Sequence, residues 1–152
     1  MAEWKRICCA VDFSDPSRLA MEEAADLARR LESWLTLVHV YDAPPLDAAD
    51  TLRPTPELAE RLSREAEEEL ERWRAEAEGI AGRPVRSALP EGNATAELLR
   101  FASEGGYDLI VMATHGRTGF RRLVLGSVAE RVVREAHCSV LVIRRPVPIR
   151  PD

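Results

Sequence analysis

Five short apolar segments alternate along the chain with segments of helical periodicity, and this alternation restricts the possible folds more than any other feature. The apolar segments predict β-strands because each is short, aliphatic and bounded by turn residues. Alternating strands and helices are typical of a parallel sheet covered by helices on both faces. The predicted strands cover 6–12, 35–41, 84–89, 107–114 and 139–144, and the predicted helices cover about 16–32, 56–79, 93–104 and 127–136.

The strand order follows from the apolar character of each predicted strand. Segment 84–89 alternates apolar and polar residues, which suits an edge, whereas 6–12, 35–41 and 107–114 are almost uniformly apolar, which suits the centre. With right-handed crossovers, we predict one domain over 1–152 with an α/β fold. Its doubly wound five-stranded parallel sheet has the order 3-2-1-4-5. Such sheets bind ligands beyond the carboxyl ends of their strands, here between the first and fourth strands.

Several predicted helices have recognisable starts. Asp15 and Pro16 predict an N-cap followed by a proline in the first turn. Ser127, with Glu130 three residues later, has the pattern of a capping box. The long second helix has one apolar stripe between charged, solvated faces. The residues of that stripe are Leu58, Leu62, Ala66, Leu70, Trp73 and Ala77.

The composition argues against several classes of function. The formal net charge is −5 at pH 7, so no basic stripe is available to neutralise a nucleic-acid backbone. No apolar run approaches the ~20 residues of a membrane span, and the N-terminus lacks the layout of a signal peptide. We therefore expect a cytoplasmic protein that binds neither nucleic acid nor membrane.

The three cysteines are expected to be free thiols rather than a redox pair. Cys8 and Cys9 are adjacent on a predicted strand, so their side chains should point to opposite faces of the sheet. Cys138 stands alone, and the sequence has neither a CxxC pair nor zinc-ligand spacing.

A glycine-rich loop follows the fourth predicted strand and indicates a phosphate-bearing ligand. Gly116 and Gly119 would let the main chain approach a ligand closely. Gly126 and Ser127 lead into a helix whose first N–H groups form an anion site. The loop matches neither a dinucleotide-binding fingerprint nor a P-loop, and a tight turn with an ordinary capped helix remains the alternative. Three arginines of the loop could reach phosphates or lie in solvent: Arg117, Arg121 and Arg122.

The chain resembles the universal stress protein family over essentially its whole length. The similar segments are AVDFSDPS, LVHVYD, DLIVMATHGRTG, LVLGSVAERVV and CSVLVIRR. The ATP-binding branch of that family has the motif G-x2-G-x9-G-[ST]. Gly116, Gly126 and Ser127 fit the motif, whereas Ala113 stands at its first glycine.

The resemblance implies an ATP site in which Mg²⁺ or Mn²⁺ is held through the phosphates. Asp12 would lie by the ribose or a metal–phosphate group, and the main chain of Val40 would hold adenine. A turn-capping role for Asp12, at Phe13 and Ser14, is the alternative. Met112 and Ala113 would lie along the nucleoside, and the glycines with Ser127 would hold the phosphates. The expected site residues are Ala10, Val11, Asp12, Val40, Met112, Ala113, His115, Gly116, Arg117, Gly119, Gly126, Ser127 and Val128.

Candidate catalytic groups are few, which weighs against efficient catalysis. His39 is expected in the core or the wall of the site, and His137 at a helix C-terminus, so His115 is the one histidine considered for chemistry. No carboxylate pair or nucleophile–base pair is apparent. The resemblance therefore implies a binding protein whose ATP is a structural or regulatory ligand in a stress response. The alternatives are a slow ATP hydrolase or adenylyl-transfer enzyme, in which Asp12 with Mg²⁺ would orient water, and an interaction protein with an empty site.

The segment 139–144 predicts a homodimer. It forms a sheet edge in the predicted order, yet Val140 to Ile143 is apolar on both faces. Exposed edges are normally blunted by charge or proline because their unpaired backbone groups invite pairing with another chain. Related family members pair through this strand, and a tail folded back over the edge is the alternative. A further protein partner is possible.

Overall fold

The chain folds into one parallel β-sheet with helices on both faces, as the alternation of its segments predicts. The computed structural model describes residues 3–42, 55–114 and 125–146. Their elements are β1 (Arg6–Ala10), α1 (Asp15–Leu31), β2 (Trp34–Val38), α2 (Pro56–Ala81), β3 (Val85–Ala88), α3 (Ala94–Glu104), β4 (Leu109–Ala113), α4 (Ser127–Glu135) and β5 (Ser139–Ile143). The strand order is β3-β2-β1-β4-β5 with all neighbours parallel, which confirms the predicted order.

Two apolar layers hold the helices against the sheet. On one face, the small residues of α1 and the indole of Trp73 in α2 pack on alternate residues of the strands. On the other face, Leu98 of α3 and Val132 of α4 pack on the intervening strand residues. Alanines on α1 let the helix approach the sheet closely, since they present only a methyl group. The buried alanines are Ala20, Ala24, Ala25 and Ala28.

Cys8 and Cys9 are buried on opposite faces of β1, one in each apolar layer, as predicted. Burial raises the pKa of Cys9 to about 12. Burial also raises the pKa of Cys8 well above its usual value, with smaller contributions from Cys9 and Cys138. Both thiols are therefore protonated near neutral pH, where a thiol has little nucleophilic reactivity.

Two predicted helix starts are wrong by one residue. The N-cap of α1 is Ser14, which has an extended backbone and whose Oγ accepts a hydrogen bond from the N–H of Ser17 at 3.3 Å, so Asp15 is already helical. The N-cap of α4 is Gly126, which has no side chain to form a cap hydrogen bond. Ser127 is therefore the first helical residue, and the predicted capping box with Glu130 does not form.

The apolar stripe of α2 is buried only in its second half. Leu70, Trp73 and Ala77 are buried, but the side chain of Leu62 is 41% exposed. A helix of 26 residues is about 39 Å long at 1.5 Å per residue. The strands have four or five residues and span only about 13–17 Å. The first turns of α2 therefore extend past the sheet, and their stripe finds nothing to cover it among the described residues.

The two edges of the sheet differ in how they are protected. At β3, the outward-facing N–H of Val85 donates to Glu78 at 3.1 Å, and its carbonyl accepts from Nη1 of Arg74 at 3.2 Å. At β5, by contrast, the edge-facing backbone groups of Val140 and Val142 have no partner within the described residues.

No described helix is long and apolar enough to cross a membrane.

Candidate functional site

The candidate site lies at the carboxyl edge of the sheet, where three neighbouring strands end. Asp12 follows β1, Val40 follows β2, and Thr114 follows β4. These segments lie side by side because β1 is hydrogen-bonded to both β2 and β4. The chain leaves β1 for a helix on one face and leaves β4 for a helix on the other. Such a switch point is the usual ligand position in doubly wound sheets.

Asp12 organises the turn between β1 and α1. Its Oδ1 accepts a hydrogen bond from the N–H of Ser14 at 3.0 Å and another from the Ser14 hydroxyl. Its own N–H donates to Oγ of Ser17 at 3.2 Å. The turn-capping interpretation of Asp12 is therefore confirmed, and its role toward a ligand stays a prediction.

Phe13 is held in a left-handed backbone conformation, with φ at +64°. Non-glycine residues seldom adopt this region, and it often occurs at functional sites. The ring of Phe13 lies over His39 with centroids 4.4 Å apart, and it meets the Trp73 indole edge-on at 5.4 Å. Phe13 lies at the candidate site although it is not among the residues predicted from the sequence. The short polar sequence around it, Asp-Phe-Ser, signalled a turn but not which residue would take the unusual angle.

A hydrogen bond of His39 joins the segment after β2 to the segment after β1. Its Nδ1 lies 2.8 Å from the carbonyl oxygen of Val11, so this nitrogen donates. His39 therefore belongs to the wall of the site, as predicted. The next residue, Val40, has neither its N–H nor its carbonyl oxygen bonded to any backbone group of the described residues. A donor and an acceptor at the edge of the sheet are thus available to a planar ligand that carries both.

The two ends of the glycine-rich loop meet at the start of α4. The N–H of Gly126 donates to the carbonyl oxygen of Thr114 at 2.7 Å, and the Gly126 carbonyl accepts the N–H of Glu130 at 2.9 Å. Within the described residues, the first-turn N–H groups of α4, on Ser127, Val128 and Ala129, have no acceptor. Unsatisfied first-turn donors at the positive end of the helix dipole favour an anion.

The structure brings nine of the predicted site residues to this edge of the sheet. Val11, Met112 and Ala113 are buried, so their backbone rather than their side chains would meet a ligand. His115, Gly116, Arg117 and Gly119 lie outside the described residues, as do Arg121 and Arg122. The nine residues are Ala10, Val11, Asp12, Val40, Met112, Ala113, Gly126, Ser127 and Val128.

The backbone of Gly126 does not need a glycine for its angles. Its φ is −59° and its ψ is 156°, a region open to any residue. A left-handed angle is therefore not the reason for a glycine at this position. The residue instead leaves the start of α4 without a side-chain cap.

The described residues contain no group of three or more His, Cys, Asp or Glu side chains positioned to hold a metal ion. A metal ion at this edge would therefore need ligands from the bound molecule or from residues outside the described part of the chain. The available chemistry of the described residues is the binding of an anion and of a polar planar group.

The sequence profile of the universal stress protein family matches residues 3–144. The chain belongs to this family. Universal stress protein MJ0531 of Methanocaldococcus jannaschii is 35% identical over 143 residues, which cover 94% of this chain and 84% of that protein. Membership of this family accounts for the fold, and solved structures of family members can be compared with this chain.

Two solved family structures share the architecture. The structure of the universal stress protein UspA from Lactobacillus plantarum has a TM-score of 0.76 and 26% identity, covering 95% of this chain and all of that one. A universal stress protein from Archaeoglobus fulgidus, solved in complex with dAMP, has a TM-score of 0.66 and 23% identity, covering 94% of this chain and 100% of that one.

Proposed function

We propose that this family member binds ATP, with Mg²⁺ or Mn²⁺ held through the phosphates, as a structural or regulatory ligand in a stress response. The observation that carries the proposal is the uncapped start of α4 beside the ends of β1 and β4. Three N–H groups converge there without an acceptor in the described chain. A side-chain cap normally accepts from one of these groups, so a helix start without a cap leaves all three to solvent or to an anion such as phosphate.

The described residues can hold both the base and the phosphates of a nucleotide. The N–H and carbonyl of Val40 would hold the adenine edge, because adenine offers an acceptor and a donor to main-chain groups. The start of α4 would hold phosphate, and the exposed hydroxyl of Ser127 would add a further donor. Between them, Ala113 at the end of β4 is small enough to let a ribose lie against the sheet edge.

Two further observations support the nucleotide. The sequence from Gly116 to Ser127 fits the second half of the ATP-binding motif. The Archaeoglobus fulgidus relative was solved in complex with dAMP. Like ATP, dAMP has an adenine base, which Val40 would hold, and a phosphate, which the start of α4 would hold.

Rapid turnover of ATP is not part of the proposal. Oδ1 of Asp12 accepts two hydrogen bonds from Ser14 and holds the turn into α1. To act as a base toward water, that oxygen would have to give up the contacts that shape the turn. Hydrolysis, if it occurs, is therefore expected to be very slow compared with nucleotide binding and release.

We also propose that the protein acts in the cytoplasm as a homodimer paired through β5. The contrast between the two sheet edges supports this, because α2 covers the backbone groups of Val85 while those of Val140 and Val142 have no described partner. Val140, Leu141 and Ile143 are half-buried against the core, which holds the strand in place for pairing. A two-fold partner would satisfy the same groups on both copies.

Mass spectrometry of the ligand released by denaturing freshly purified protein tests the nucleotide proposal. An adenine nucleotide in near-stoichiometric amount is expected after gentle purification. Protein that releases no nucleotide, and that also fails to take up Mg-ATP in equilibrium dialysis, would contradict the proposal.

A further inference from the structure

Two arginines and a tryptophan form a surface at the amino-terminal edge of the sheet, opposite the candidate nucleotide site. The guanidinium carbon of Arg83 lies 5.1 Å from the centre of the Trp34 ring, and that of Arg86 lies 5.8 Å from it. Trp34 begins β2 and Arg86 is in β3, while Arg83 lies in the turn before β3. We call these three residues the arginine–tryptophan patch.

The patch is open to solvent although its central residue is a large aromatic. Trp34 is 49% exposed. Its neighbour in the strand, Leu35, is buried against the helices of the other face, so Trp34 points to the side of α3 and α4. The apolar layer beneath those helices includes Val38 and Ala88, at the ends of β2 and β3, but not Trp34, so the start of β2 is left half-exposed among the described residues. Exposed tryptophan flanked by arginine is a composition enriched at the energetic centres of protein interfaces.

Neither arginine of the patch has a carboxylate partner among the described residues, whereas most arginines of the described helices have one. Arg74 is bound by two glutamates, Glu71 and Glu78, and other helix arginines form comparable pairs. Glu78 lies three residues before Ala81, the last residue of α2, and its Oε1 accepts hydrogen bonds from Arg74 and from the N–H of Val85. The two positive charges therefore lie uncompensated on a chain with net charge −5.

Arg83 is also partly desolvated. Its Nη1 is buried and has no hydrogen-bond acceptor within the described part of the chain, and Nε1 of Trp4, at the same edge, is in the same condition. A buried donor without a partner costs free energy, and a cation already stripped of part of its water pairs more readily with an anion. The other N–H groups of half-buried Arg83, and those of exposed Arg86, can donate to the carboxylate oxygens of a partner.

We propose that the arginine–tryptophan patch is a docking surface for an acidic segment of a partner protein. Aspartate or glutamate carboxylates of the segment pair with Arg83 and Arg86, whose planar guanidinium groups match them bidentately. An apolar side chain of the segment covers the exposed half of Trp34. A nucleic acid is disfavoured because two arginines neutralise few phosphates and the rest of the protein is acidic.

This interaction is independent of the proposed nucleotide site. The patch lies where the strands begin, whereas the nucleotide site lies where they end, and the length of the sheet separates them. A partner could therefore bind whether or not nucleotide is present, and the experiment below does not depend on ATP binding.

The test measures the fluorescence anisotropy of a labelled peptide that repeats the sequence Glu-Glu-Leu, titrated with the full chain. The double variant Arg83→Gln with Arg86→Gln is expected to weaken binding on the order of tenfold or more, since charge-assisted hydrogen bonds are lost. The matched control, Arg61→Gln with Arg64→Gln on α2, removes the same charge from another surface and is expected to change affinity less than about twofold.

A second variant separates the charge of the two arginines from the planar shape of their guanidinium groups. Arg83→Lys with Arg86→Lys keeps both charges but loses the planar groups, and it is expected to weaken binding as well. Equal binding by the parent, glutamine and lysine proteins would overturn the proposal, and so would the absence of peptide binding to the parent. Tighter binding of a single-stranded oligonucleotide than of the peptide would reassign the patch to nucleic acid and would also overturn it.

Discussion

The N–H of Gly126 donates a 2.7 Å hydrogen bond to the carbonyl oxygen of Thr114. This contact joins the end of β4 to the start of α4 and brings the two ends of the glycine-rich loop together. It also uses the N–H of the N-cap residue, so the donors that remain at the start of α4 are those of its first turn. The position of this helix start relative to β1 and β4 is the basis of the proposed function.

Ser127→Ala is expected to lower ATP affinity without lowering the stability of the free protein. Ser127 is the first helical residue and not the N-cap, so its hydroxyl does not hold the helix start. A lost hydrogen bond to a charged phosphate costs about 1.5–3 kcal/mol, which corresponds to roughly a tenfold or greater loss of affinity. Thermal melts with and without Mg-ATP and calorimetric titration measure both effects.

Ser14→Ala is the matched control, because Ser14 is the N-cap of α1. Its loss is expected to cost about 1 kcal/mol of stability in the absence of nucleotide. If Ser127→Ala lowered the melting temperature of the free protein as much as Ser14→Ala does, Ser127 would be a structural cap and its assignment to phosphate would be wrong.

Glu32→Gly is expected to stabilise the protein. Glu32 is the C-cap of α1 and has a left-handed φ of +56°, whereas the equivalent residue after α2, Gly82, is a glycine with φ +65°. A side chain in this region costs about 1 kcal/mol relative to glycine. Chemical denaturation should show that gain, and Gly82→Ala should show a loss of similar size. A destabilised Glu32→Gly variant would contradict the described end of α1.

The thiols are expected to differ sharply in reactivity. Burial raises the pKa values of Cys8 and Cys9, so at pH 8 their thiolate fraction is lower than that of an ordinary cysteine. The pKa of Cys138 is raised too, mainly by partial burial, but its side chain is accessible in part. A disulfide reagent at pH 8 should therefore modify Cys138 alone in the native protein and all three thiols after denaturation. Rapid native modification of Cys8 would show that β1 is not at the centre of the sheet.

Val142→Pro is expected to convert a dimer into monomers. The carbonyl of Ile143 accepts from Thr114 of the β4 side, so the neighbouring residue Val142 presents its N–H to the open edge. Proline removes that donor without interrupting the ladder to β4. Sedimentation equilibrium at micromolar concentration measures the change, with Val142→Ala as the control that keeps the N–H. A parent protein that is monomeric, or a proline variant that still dimerises, would refute pairing through β5.

The sheet could be predicted from the sequence because burial on both faces leaves a strong signal. The run from Leu109 to Ala113 is apolar without interruption, and β3 alternates, so the residue types indicated that β4 is central and β3 lies at an edge. The edge position of β5, which is apolar, needed the rule of right-handed crossovers as well. The helix starts were less certain because several adjacent residues could act as caps. Ser14, Asp15 and Ser127 all have capping side chains, and only the backbone angles decide which one is used.

Two other features, one at the candidate site and one at the arginine–tryptophan patch, could not be predicted from the sequence. The left-handed angle of Phe13 depends on Asp12 and Ser14 holding the turn around it, and aromatic residues carry no preference for that angle. Likewise, the meeting of Trp34 with Arg83 and Arg86 depends on the register of β2 with β3. Contacts between distant parts of the chain determine these features, so local sequence patterns do not predict them.

Binding of the phosphates of ATP at the start of α4 is best tested by calorimetric titration of Gly126→Val with Mg-ATP. The backbone angles of Gly126 suit valine, so the variant is expected to fold while its side chain fills the phosphate position. Gly79→Val, on the exposed face of α2 with no atom within 4 Å of an added Cβ, is the control. If the start of α4 binds phosphate, the parent and Gly79→Val bind Mg-ATP and a folded Gly126→Val does not. Equal affinity in all three proteins would contradict it.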